Sequence, residues 1–456
     1  MKFLALLAAK LTAFLLKILK RGATTLPGRV ALLFDSRILK KLSQGVRVIL
    51  VTGTNGKTTV CRMIERAFVL SKTPYFLNRS GANLITGIAT AFIQNCTLKG
   101  QIRRHYAVIE CDENAFLSVS DFLQPDVIVV TNVFRDQLDR YGEVAHTLSV
   151  LRRSVQKCPQ STVVLNGDCP LTFSLSRAVH GRVFTFGMEQ AVCGHFPGNV
   201  PSDAVRCIFC GEPYRYTYRT YAQLGGFSCP NCGYQRRRPD AYVSALFGLQ
   251  AQSSTAEIHL PGSVRHVRIN LPGIYNVYNA LAAAAALHCA KLPESIIFRA
   301  LETFSGAFGR NETFAASTHQ IRMLLVKNPA GFSLVNAQIA KSQRPFDICF
   351  CLNDLAADGR DVSWIYDVDY SPLLRAGVPL RRVYVSGRRA YDMALCLKLM
   401  GFEAQNICLL DFEKDGLILR TAAESENDFY IVPTYTAMMR LRPAFAQKFG
   451  KEAFYE

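Results

Sequence analysis

A glycine-rich turn between an apolar run and a helical stretch constrains the fold of this 456-residue chain more than any other feature. The turn reads Gly53-Thr54-Asn55-Gly56-Lys57-Thr58-Thr59, with an apolar run at 46–51 before it and a helical pattern after it as far as Leu70. Backbone N–H groups in such a turn, and at the N-terminus of the following helix, surround phosphate oxygens. The Lys57 ammonium can neutralise the β- and γ-phosphates, and the Thr58 hydroxyl is placed to bind magnesium. We therefore predict a site for a nucleoside triphosphate.

Short β-branched runs alternate with helical stretches along the chain, which is typical of a parallel α/β sheet. Strands are predicted at 46–51, 106–110, 127–131, 162–165, 183–186, 256–269, 323–326, 348–352, 382–386 and 430–432, and an alanine-rich helix at 276–290. A chain of 456 residues is too long for one core. We predict an N-terminal segment (1–45), a central α/β domain (46–312) with a module inserted at about 203–240, and a smaller C-terminal α/β domain (313–456).

The net charge of +18 is concentrated in two segments. Residues 1–45 hold nine Lys and Arg against one acid, and residues 205–240 hold six against two. This distribution suggests an anionic surface nearby, which can be nucleic acid, membrane head groups or a phosphorylated substrate. Fifteen cysteines, most of them isolated in apolar runs, indicate reduced thiols in a cytoplasmic protein rather than a disulfide scaffold.

The N-terminal segment predicts a basic amphipathic helix. Lys10, Lys17, Lys20 and Arg21 interrupt its apolar run, so it has neither a signal-peptide core nor the uninterrupted length of a spanning helix. These basic residues share one face, and Leu, Phe and Ile fill the other. Two interpretations stay open. We favour packing of the apolar face on the protein, and the alternative is a helix that lies on an anionic membrane surface.

Two C-x-x-C pairs separated by eighteen residues predict a metal site in the inserted module. They are Cys207 with Cys210 and Cys229 with Cys232. Four thiolates can surround one zinc ion tetrahedrally, and a site with four protein ligands is closed and therefore structural. A redox pair or an iron ion on the same thiolates is an alternative. Because Arg236-Arg237-Arg238 follows, a zinc ribbon that binds nucleic acid is another.

Six stretches resemble, in the same order, the motifs of the Mur ligase family, the ATP-dependent ligases of peptidoglycan synthesis. The phosphate loop has the family's short form G-T-N-G-K-T-T, with two residues between its glycines. The other five stretches are Thr131-Asn132 followed by 136–142, Leu165-Asn166-Gly167-Asp168, 275–280, 309–312 and 327–331. The resemblance implies a Mur ligase-like central ATP-binding domain, with ATP and Mg²⁺ as cofactors.

The resemblance also implies cofactor-binding residues outside the phosphate loop, namely Glu110, Asn166, Asp168 and Asn279. Glu110 would be linked to magnesium alongside Thr58, while Asn166 and Asp168 would lie near the nucleotide base. Asn279 would contact the nucleotide, and a buried asparagine with a structural role is the alternative.

Two further acids and one amide are open candidates near the phosphates. Asp112 and Glu113 are as available as Glu110 for the magnesium role, because all three follow the same predicted strand. Asn83 is a candidate for reaching the phosphates or the substrate.

Departures from the family pattern narrow the resemblance. Gln137 and Tyr275 stand where the family has histidine, residues 203–240 have no equivalent in the usual ligases, and a distinctive acidic stretch lies at 356–367. These features resemble the ligase-like subunits of lipid II isoglutaminyl synthases. The resemblance implies ATP-dependent amidation of the α-carboxylate of D-glutamate in the stem peptide of lipid II to D-isoglutamine. An acyl phosphate would form first, and ammonia from a GatD-type glutamine amidotransferase partner would attack it.

Asp361 is the catalytic candidate of the acidic stretch. By the resemblance it completes a triad whose Cys and His belong to the partner, and capping of a turn within its own domain is the alternative. Two other functions stay open: a nucleic-acid-associated NTPase with a zinc ribbon, and a conventional Mur-type amino-acid ligase. We expect lipid II at the membrane surface, and not nucleic acid, as the further partner. The expected location is the cytoplasm, with a peripheral position at the inner face of the plasma membrane left open.

Overall fold

Two sheets with helices packed against them organise the chain, one formed before residue 270 and one after residue 310. A computed structural model describes residues 2–19, 23–78, 81–135, 144–189, 202–249, 253–305, 311–414 and 416–450. Three groups of residues from the sequence analysis lie outside these residues: the stretch 136–142 with Gln137, the pair Gly309 and Arg310, and the basic residues Lys20 and Arg21.

The first sheet is a mostly parallel sheet of nine strands. The strands before residue 270 are β1 (Arg47–Thr52), β2 (Tyr75–Leu77), β3 (Tyr106–Glu110), β4 (Val127–Val130), β5 (Thr162–Asn166), β6 (Val183–Met188), β7 (Arg215–Tyr221), β8 (Leu224–Ser228), β9 (Ala241–Leu249), β10 (Ser254–Leu260) and β11 (Ser263–Ile269). All except β7 and β8 join this sheet, in the order β11-β10-β9-β6-β5-β4-β1-β3-β2. The central strands are apolar runs buried along nearly their whole length, because helices cover both faces of a parallel sheet.

Helices cover this sheet and precede it. They are α1 (Lys2–Ile18), α2 (Leu26–Phe34), α3 (Ile38–Leu42), α4 (Lys57–Leu70), α5 (Ile85–Asn95), α6 (Glu113–Val119), α7 (Val144–Gln156), α8 (Pro170–Ser174), α9 (Ile274–Cys289) and α10 (Glu294–Thr303). Helix α9 is the predicted alanine-rich helix, and its alanines are buried against the sheet.

Strand β1 lies between β3 and β4 and runs parallel to both. The strand order reverses at this point, so a crevice opens at the carboxyl ends of the strands, where ligands of open α/β sheets bind. The phosphate-loop sequence leaves β1 into this crevice. Glu110 at the end of β3 and Thr131 just after β4 flank it.

The inserted module lies, in sequence, between two strands that are neighbours in the first sheet. Strands β7 and β8 pair with each other in an antiparallel hairpin and join neither large sheet. The chain leaves β6 to form the module and returns as β9, which pairs with β6. The sheet therefore continues past the module without a break.

The second sheet has six strands. They are β12 (Asn311–Ala315), β13 (Gln320–Leu324), β14 (Phe346–Cys351), β15 (Leu380–Ser386), β16 (Ile407–Leu409) and β17 (Asp428–Pro433), with helices α11 (Pro329–Ile339), α12 (Ser371–Leu374), α13 (Ala390–Leu399), α14 (Leu417–Glu424) and α15 (Tyr435–Lys448). The order is β12-β13-β17-β14-β15-β16, and only the pair β12 and β13 is antiparallel. Because β12 begins at Asn311, we propose that the domain boundary lies before that residue rather than after 312.

The predicted α/β architecture is confirmed, and one predicted strand is corrected. Each predicted strand has a counterpart whose ends differ by a few residues. The run 256–269, predicted as continuous strand, is two antiparallel strands that turn at Gly262, which has φ +92°. A glycine with a positive φ closes such a hairpin without strain.

The N-terminal helix presents the opposite face to the protein from the one we favoured. Its small side chains Ala5 and Ala9, together with Leu6, are buried against the protein. Its larger apolar side chains are exposed instead: Phe3, Leu4, Leu7, Leu11, Phe14, Leu15 and Ile18. Lys10 turns inward, and its Nζ donates to the carbonyl oxygens of Cys96 (2.6 Å) and Ile93 (3.0 Å) at the end of α5. Among the described residues, no helix is long and apolar enough to span a membrane.

Candidate functional site

Two glycines give the phosphate loop its shape. Gly53 has φ +113° and Gly56 has φ +88°, a region that residues with side chains disfavour. Space excludes a side chain as well, because a β carbon on Gly53 would lie 2.5 Å from Thr131 Oγ1 and one on Gly56 would lie 2.1 Å from Asn279 Oδ1. Gly56 directly precedes α4, so the loop leads into a helix N-terminus. The backbone thus has the form that phosphate binding requires.

Residues that follow β4 hold the loop from one side. Asn132 Nδ2 donates to the Asn55 carbonyl oxygen (3.0 Å), and Asn132 Oδ1 accepts from the Asn55 N–H (2.9 Å). Thr131 Oγ1 donates to the same carbonyl oxygen (2.7 Å). The Phe134 N–H donates to Thr54 Oγ1 (3.0 Å). The predicted Thr-Asn pair therefore supports the backbone of the loop.

Lys57 and Thr58 each meet a buried carboxylate. Lys57 Nζ donates to Glu113 Oε2 (3.0 Å) and to the Gly53 carbonyl oxygen (2.6 Å). Thr58 Oγ1 donates to Glu110 Oε2 (2.7 Å). A bound phosphate would compete with Glu113 for the Lys57 ammonium. A cation between Thr58 and Glu110 would find the hydroxyl and carboxylate oxygens that magnesium prefers.

The three acids that the sequence offers as candidates for binding magnesium have different neighbours in the structure. Glu110 faces Thr58, and Glu113 faces Lys57. Asp112 is the N-cap of α6, where its side chain accepts from two backbone N–H groups of the first turn. Geometry therefore favours Glu110 for the magnesium role.

Asn78, which the sequence analysis missed, supports Glu110. Its Oδ1 accepts from the Glu110 N–H (2.8 Å) and its Nδ2 donates to the Glu110 carbonyl oxygen (2.8 Å). Asn83 instead contributes its backbone carbonyl, which accepts from the Asp112 N–H (3.1 Å). A buried amide pairing with one backbone position leaves no periodic signal in sequence, so only the fold identifies Asn78.

A pocket adjoins the phosphate loop where the two domains meet. Asn55, Gly56 and Thr59 line it on the loop side, Tyr275, Asn276 and Asn279 line it from α9, and residues 324–328 line it from the second domain. Its wall is mostly apolar with a few amides, as in sites for planar heterocycles. A nucleotide with its phosphates on the loop would have its base or ribose here.

Polar side chains bridge the two domains around this pocket. Asn328 Nδ2 donates to Asn55 Oδ1 (2.9 Å), and the Tyr275 hydroxyl donates to Gln338 Oε1 (3.1 Å). Asn328 is also the N-cap of α11, where its Oδ1 accepts from the Gly331 N–H (2.9 Å). The stretch 327–331, which resembles a Mur ligase motif, therefore contacts the phosphate loop directly through Asn328.

Asn279 lies beside the phosphate loop, and it has the structural role that was the alternative to a nucleotide contact. It is buried, lines the pocket and approaches Gly56, while its Nδ2 donates to Asn276 Oδ1 (3.1 Å). The amide is thus held in one orientation beside the loop.

Asp168 has a structural role besides the nucleotide role that the resemblance implies. The residue is fully buried, and its carboxylate accepts from Arg236 Nε (2.6 Å), the Met188 N–H (2.7 Å) and the Tyr278 hydroxyl (2.7 Å). Burial raises the pKa of Asp168, and the adjacent guanidinium of Arg236 opposes that rise. Through these donors, Asp168 joins the inserted module to the sheet and α9. We propose that this structural role is its main one.

Asn166 acts on the phosphate loop indirectly. It is fully buried, and its Nδ2 donates to the Thr131 carbonyl oxygen (3.1 Å) while its Oδ1 accepts from the Asp168 N–H (3.0 Å). Asn166 therefore supports a residue that holds the loop.

Four cysteine thiols converge as their spacing predicts. The Sγ atoms of Cys207, Cys210, Cys229 and Cys232 all lie within 4.8 Å of one another. A tetrahedral zinc ion with Zn–S distances of about 2.3 Å would hold its sulfurs about 3.8 Å apart. The Cys207–Cys232 and Cys210–Cys229 Sγ separations are 3.5 Å and 3.4 Å. The donor set thus fits a closed structural zinc site.

The hairpin held by these cysteines reaches the nucleotide pocket. Tyr221, at the end of β7, lines the pocket, packs on Phe134 (ring centroids 5.9 Å apart) and meets the ring of Tyr278 edge-on. Gln223 Nε2 donates to the Val133 carbonyl oxygen (2.8 Å). The sequence analysis missed both residues, because nothing in the ribbon motif indicates what the hairpin tip contacts.

The acidic loop after β14 gives its three carboxylates different surroundings. Asp354 pairs with Arg388 (3.1 Å) and Arg389 (3.3 Å). Asp358 is buried and accepts from the Thr436 N–H (2.8 Å), which fixes the loop to its own domain.

Asp361 is half-buried, and its Oδ1 accepts from the Ser363 N–H (2.8 Å) at a short helical turn, Ser363–Asp367. Hydrogen bonds from the Ser363 hydroxyl and N–H lower the pKa of Asp361, so its carboxylate is ionised at neutral pH. Asp361 therefore caps a turn within its own domain, and its side chain is still partly exposed to solvent.

Two family models match the chain, the Mur ligase middle domain over residues 51–205 and the MurT ligase C-terminal domain over residues 325–438. The lipid II isoglutaminyl synthase (glutamine-hydrolyzing) subunit MurT of Streptococcus pneumoniae is 34% identical over 98% of this chain and 97% of its own length. The chain belongs to the MurT family. The protein of the same name from Staphylococcus aureus is 32% identical over 92% of each chain.

Solved structures agree on the Mur ligase fold. A pseudomurein peptide ligase type C from Methanothermus fervidus has a TM-score of 0.69 at 19% identity, covering 91% of this chain and 81% of its own. The MurF ligase from Thermotoga maritima in complex with ADP has a TM-score of 0.63 at 12% identity, covering 93% and 85%. Membership in the MurT family and this fold make the chain an ATP-dependent ligase subunit of the Mur type, a group of enzymes that use ATP and Mg²⁺.

Proposed function

We propose that this chain is the ligase subunit of a lipid II isoglutaminyl synthase. It would amidate the α-carboxylate of D-glutamate in the stem peptide of lipid II, giving D-isoglutamine, with cleavage of ATP to ADP and phosphate. The proposal rests on the phosphate loop, in which Lys57 is buried and Thr58 lies 2.7 Å from Glu110, in a chain of the MurT family.

Two steps account for the proposed reaction. A carboxylate oxygen of the substrate attacks the γ-phosphorus of ATP, ADP leaves, and an acyl phosphate forms. Ammonia then attacks the acyl carbon, phosphate leaves with the electrons of the C–O bond, and the nitrogen loses a proton to give the amide. Phosphoryl transfer requires positioned charge more than a protein nucleophile. Lys57 and the loop N–H groups supply that charge, and Thr58 with Glu110 would hold Mg²⁺, which neutralises phosphate charge when bound.

The proposed partner is a glutaminase subunit of the GatD type that supplies ammonia. In the acidic loop, Asp354 is bound by two arginines and Asp358 anchors the loop, whereas Asp361 is ionised and half-buried. We propose that Asp361 orients the histidine of a Cys-His-Asp triad whose other two members belong to the partner.

We also propose a structural zinc ion on the four cysteines, and a cytoplasmic location at the inner face of the plasma membrane. The mutual approach of the four thiols supports the zinc ion. The proposed substrate supports the location, because lipid II is anchored in a membrane.

The test combines the purified chain and its glutaminase partner with detergent-solubilised lipid II, glutamine and ATP. We expect an amidated stem peptide by mass spectrometry and ADP formed in equal amount, with neither product in Lys57→Gln. Transfer of an amino acid instead of ammonia would indicate a conventional ligase. ATP hydrolysis that nucleic acid stimulates, without amidation, would support the NTPase alternative.

A further inference from the structure

The N-terminal helix exposes an apolar face that no described part of the chain covers. Within α1, the side chains of Leu4, Leu7, Leu11, Phe14, Leu15 and Ile18 are between 45% and 61% exposed. Their spacing of three and four residues places them on one side of the helix. Contiguous exposed apolar surface of this kind marks an interaction site rather than ordinary surface.

The opposite side of α1 is fixed to the protein, so the helix cannot turn its apolar face inward. Ala5, Leu6 and Ala9 are fully buried. Lys10 Nζ bonds the carbonyl oxygens of Ile93 and Cys96 at the end of α5, where a cation also compensates the helix dipole. Rotation of α1 would remove this ammonium from its acceptors and bring it against apolar side chains.

The charge of the N-terminal helices suits an anionic lipid surface. Lys17 on α1, Arg29 on α2 and Lys40 on α3 are exposed. Asp35, the one acid among residues 1–45, is buried and paired with Lys41 (2.6 Å). Basic residues beside an apolar helix face attract anionic head groups while the face enters the boundary between head groups and acyl chains.

The composition of the face favours lipid over a protein partner. Its exposed large side chains are Leu, Phe and Ile, without the Tyr, Trp and Arg that are enriched at protein interfaces. Protein interfaces also need hydrogen-bonding groups, and these side chains offer none.

We propose that the outward face of α1 docks this enzyme on the anionic inner surface of the plasma membrane. The inference deepens the proposed function, because it assigns the surface that would bring the enzyme to a membrane-anchored substrate. Helix α5 connects the two sites. It begins next to Asn83, near the Glu110 side of the crevice, and ends at the carbonyl oxygens that Lys10 binds. An eleven-residue helix spans about 16 Å, so a substrate with its lipid in the bilayer could present its peptide to the crevice.

Flotation with vesicles tests this surface. The full chain in complex with its partner is mixed with vesicles of phosphatidylcholine alone, or with about one quarter phosphatidylglycerol. We expect the wild-type complex to bind the anionic vesicles, and added salt to weaken this binding. The double variant Leu11→Glu/Leu15→Glu should partition onto the same vesicles about tenfold or more less strongly than the wild type. Both leucines are exposed in the free chain, so the fold should be retained, and circular dichroism checks this.

A matched control uses another exposed pair with the same spacing, Leu395→Glu/Leu399→Glu on α13. This variant should bind vesicles like the wild type. Three outcomes would each overturn the proposal. The wild type and the α1 variant bind vesicles equally, both variants lose vesicle binding to the same extent, or the wild type does not bind vesicles. Loss of the partner subunit from the α1 variant, without vesicle binding by the wild type, would show a protein interface instead.

Amidation of detergent-solubilised lipid II separates this inference from the proposed function. The α1 variant should amidate the solubilised substrate at the wild-type rate, because detergent removes the need to dock. If the wild type does not amidate it at all, the proposed function fails whatever the vesicles show.

Discussion

Glu110 and Glu113 are three residues apart and face different neighbours. Glu110 is the last residue of β3 and faces Thr58, while Glu113 is the first residue of α6 and faces Lys57. The change from strand to helix between them turns the two carboxylates toward different residues of the phosphate loop. The sequence predicts that both acids lie at the crevice. Which residue of the phosphate loop each acid contacts depends on this local change of backbone direction.

The two acids should respond differently to the same substitution. Glu110→Gln should weaken Mg²⁺-dependent ATP binding by about tenfold or more, because magnesium loses a charged ligand. Glu113→Gln should leave the Mg²⁺ dependence intact and lower the free energy of unfolding by about 3 kcal/mol, because Lys57 keeps a buried charge without its partner. Titration calorimetry with and without Mg²⁺, and urea unfolding, measure these effects. Equal losses of Mg²⁺-dependent binding in both variants would contradict the division of roles.

Asp168 shows the limit of motif-based assignment at this scale. The Asn-x-Asp pattern places Asp168 just after β5, and the inserted module delivers Arg236 to it. A contact between segments far apart in sequence carries no local pattern, so the pairing could not be predicted.

The substitution Asp168→Asn tests its structural role. We expect a loss of about 2 kcal/mol in the free energy of unfolding, because Arg236 keeps a partly buried charge without a counter-ion. The nucleotide affinity of the folded variant should stay within about twofold of the wild type, since a buried carboxylate held by protein donors makes no ligand contact. A large loss of affinity with unchanged stability would restore the nucleotide role.

Among the elements, the β7–β8 hairpin links the four-cysteine cluster to the pocket beside the phosphate loop. Cysteine pairs lie before β7 and after β8, and the turn between the strands carries Tyr221 and Gln223 to the phosphate-loop side. The C-x-x-C spacing predicts the four-thiol cluster. It does not predict where the hairpin tip packs, because that depends on the surfaces of β4 and α9.

Removal of the metal should therefore weaken nucleotide binding. Without zinc, the ends of the hairpin lose their cross-link and Tyr221 is no longer held against the pocket. We expect chelation, or Cys232→Ser, to lower ATP affinity several-fold and to expose the hairpin to proteolysis. Cys408→Ser, in the second sheet, is the matched control and should change neither. Unaltered affinity in a protein shown by elemental analysis to lack zinc would contradict the link.

For the whole molecule, the second domain is expected to complete the active site of a different polypeptide. The acidic loop after β14 was predictable as a functional loop from its position at the end of a strand. Sequence could not rank its three acids, because their differences arise from Arg388, Arg389 and Thr436, which lie on other segments.

Asp361→Asn should separate glutaminase activity from assembly. The amide cannot hold a partner histidine as the carboxylate does, so we expect glutamine hydrolysis by the complex to fall by roughly a hundredfold or more. Binding of the two subunits should be unchanged by sedimentation. Asp354→Asn is the control, because Asp354 already pairs with Arg388 and Arg389. This variant should retain most of the glutaminase activity. A drop of the same size in both variants would move the role away from Asp361.

The N-terminal helix shows what periodicity can and cannot determine for the whole molecule. Its spacing predicts a helix with distinct faces, and the structure has that helix. Which face turns inward depends on the neighbouring helices, whose close approach accommodates alanines better than Leu or Phe. Lys10 then finds its acceptors on a segment more than eighty residues away.

The hydrogen bond between Asn328 and Asn55 has a kinetic consequence. The pocket lies between the two domains, so a separation of the domains that widens it for product departure would break this bond. One neutral hydrogen bond contributes about 1 kcal/mol, which is too little to keep the domains shut. The phosphate loop keeps its other bonds, to Thr131 and Asn132, when the domains part. The cradle therefore persists when the domains part, whereas the pocket loses the wall that residues 324–328 form.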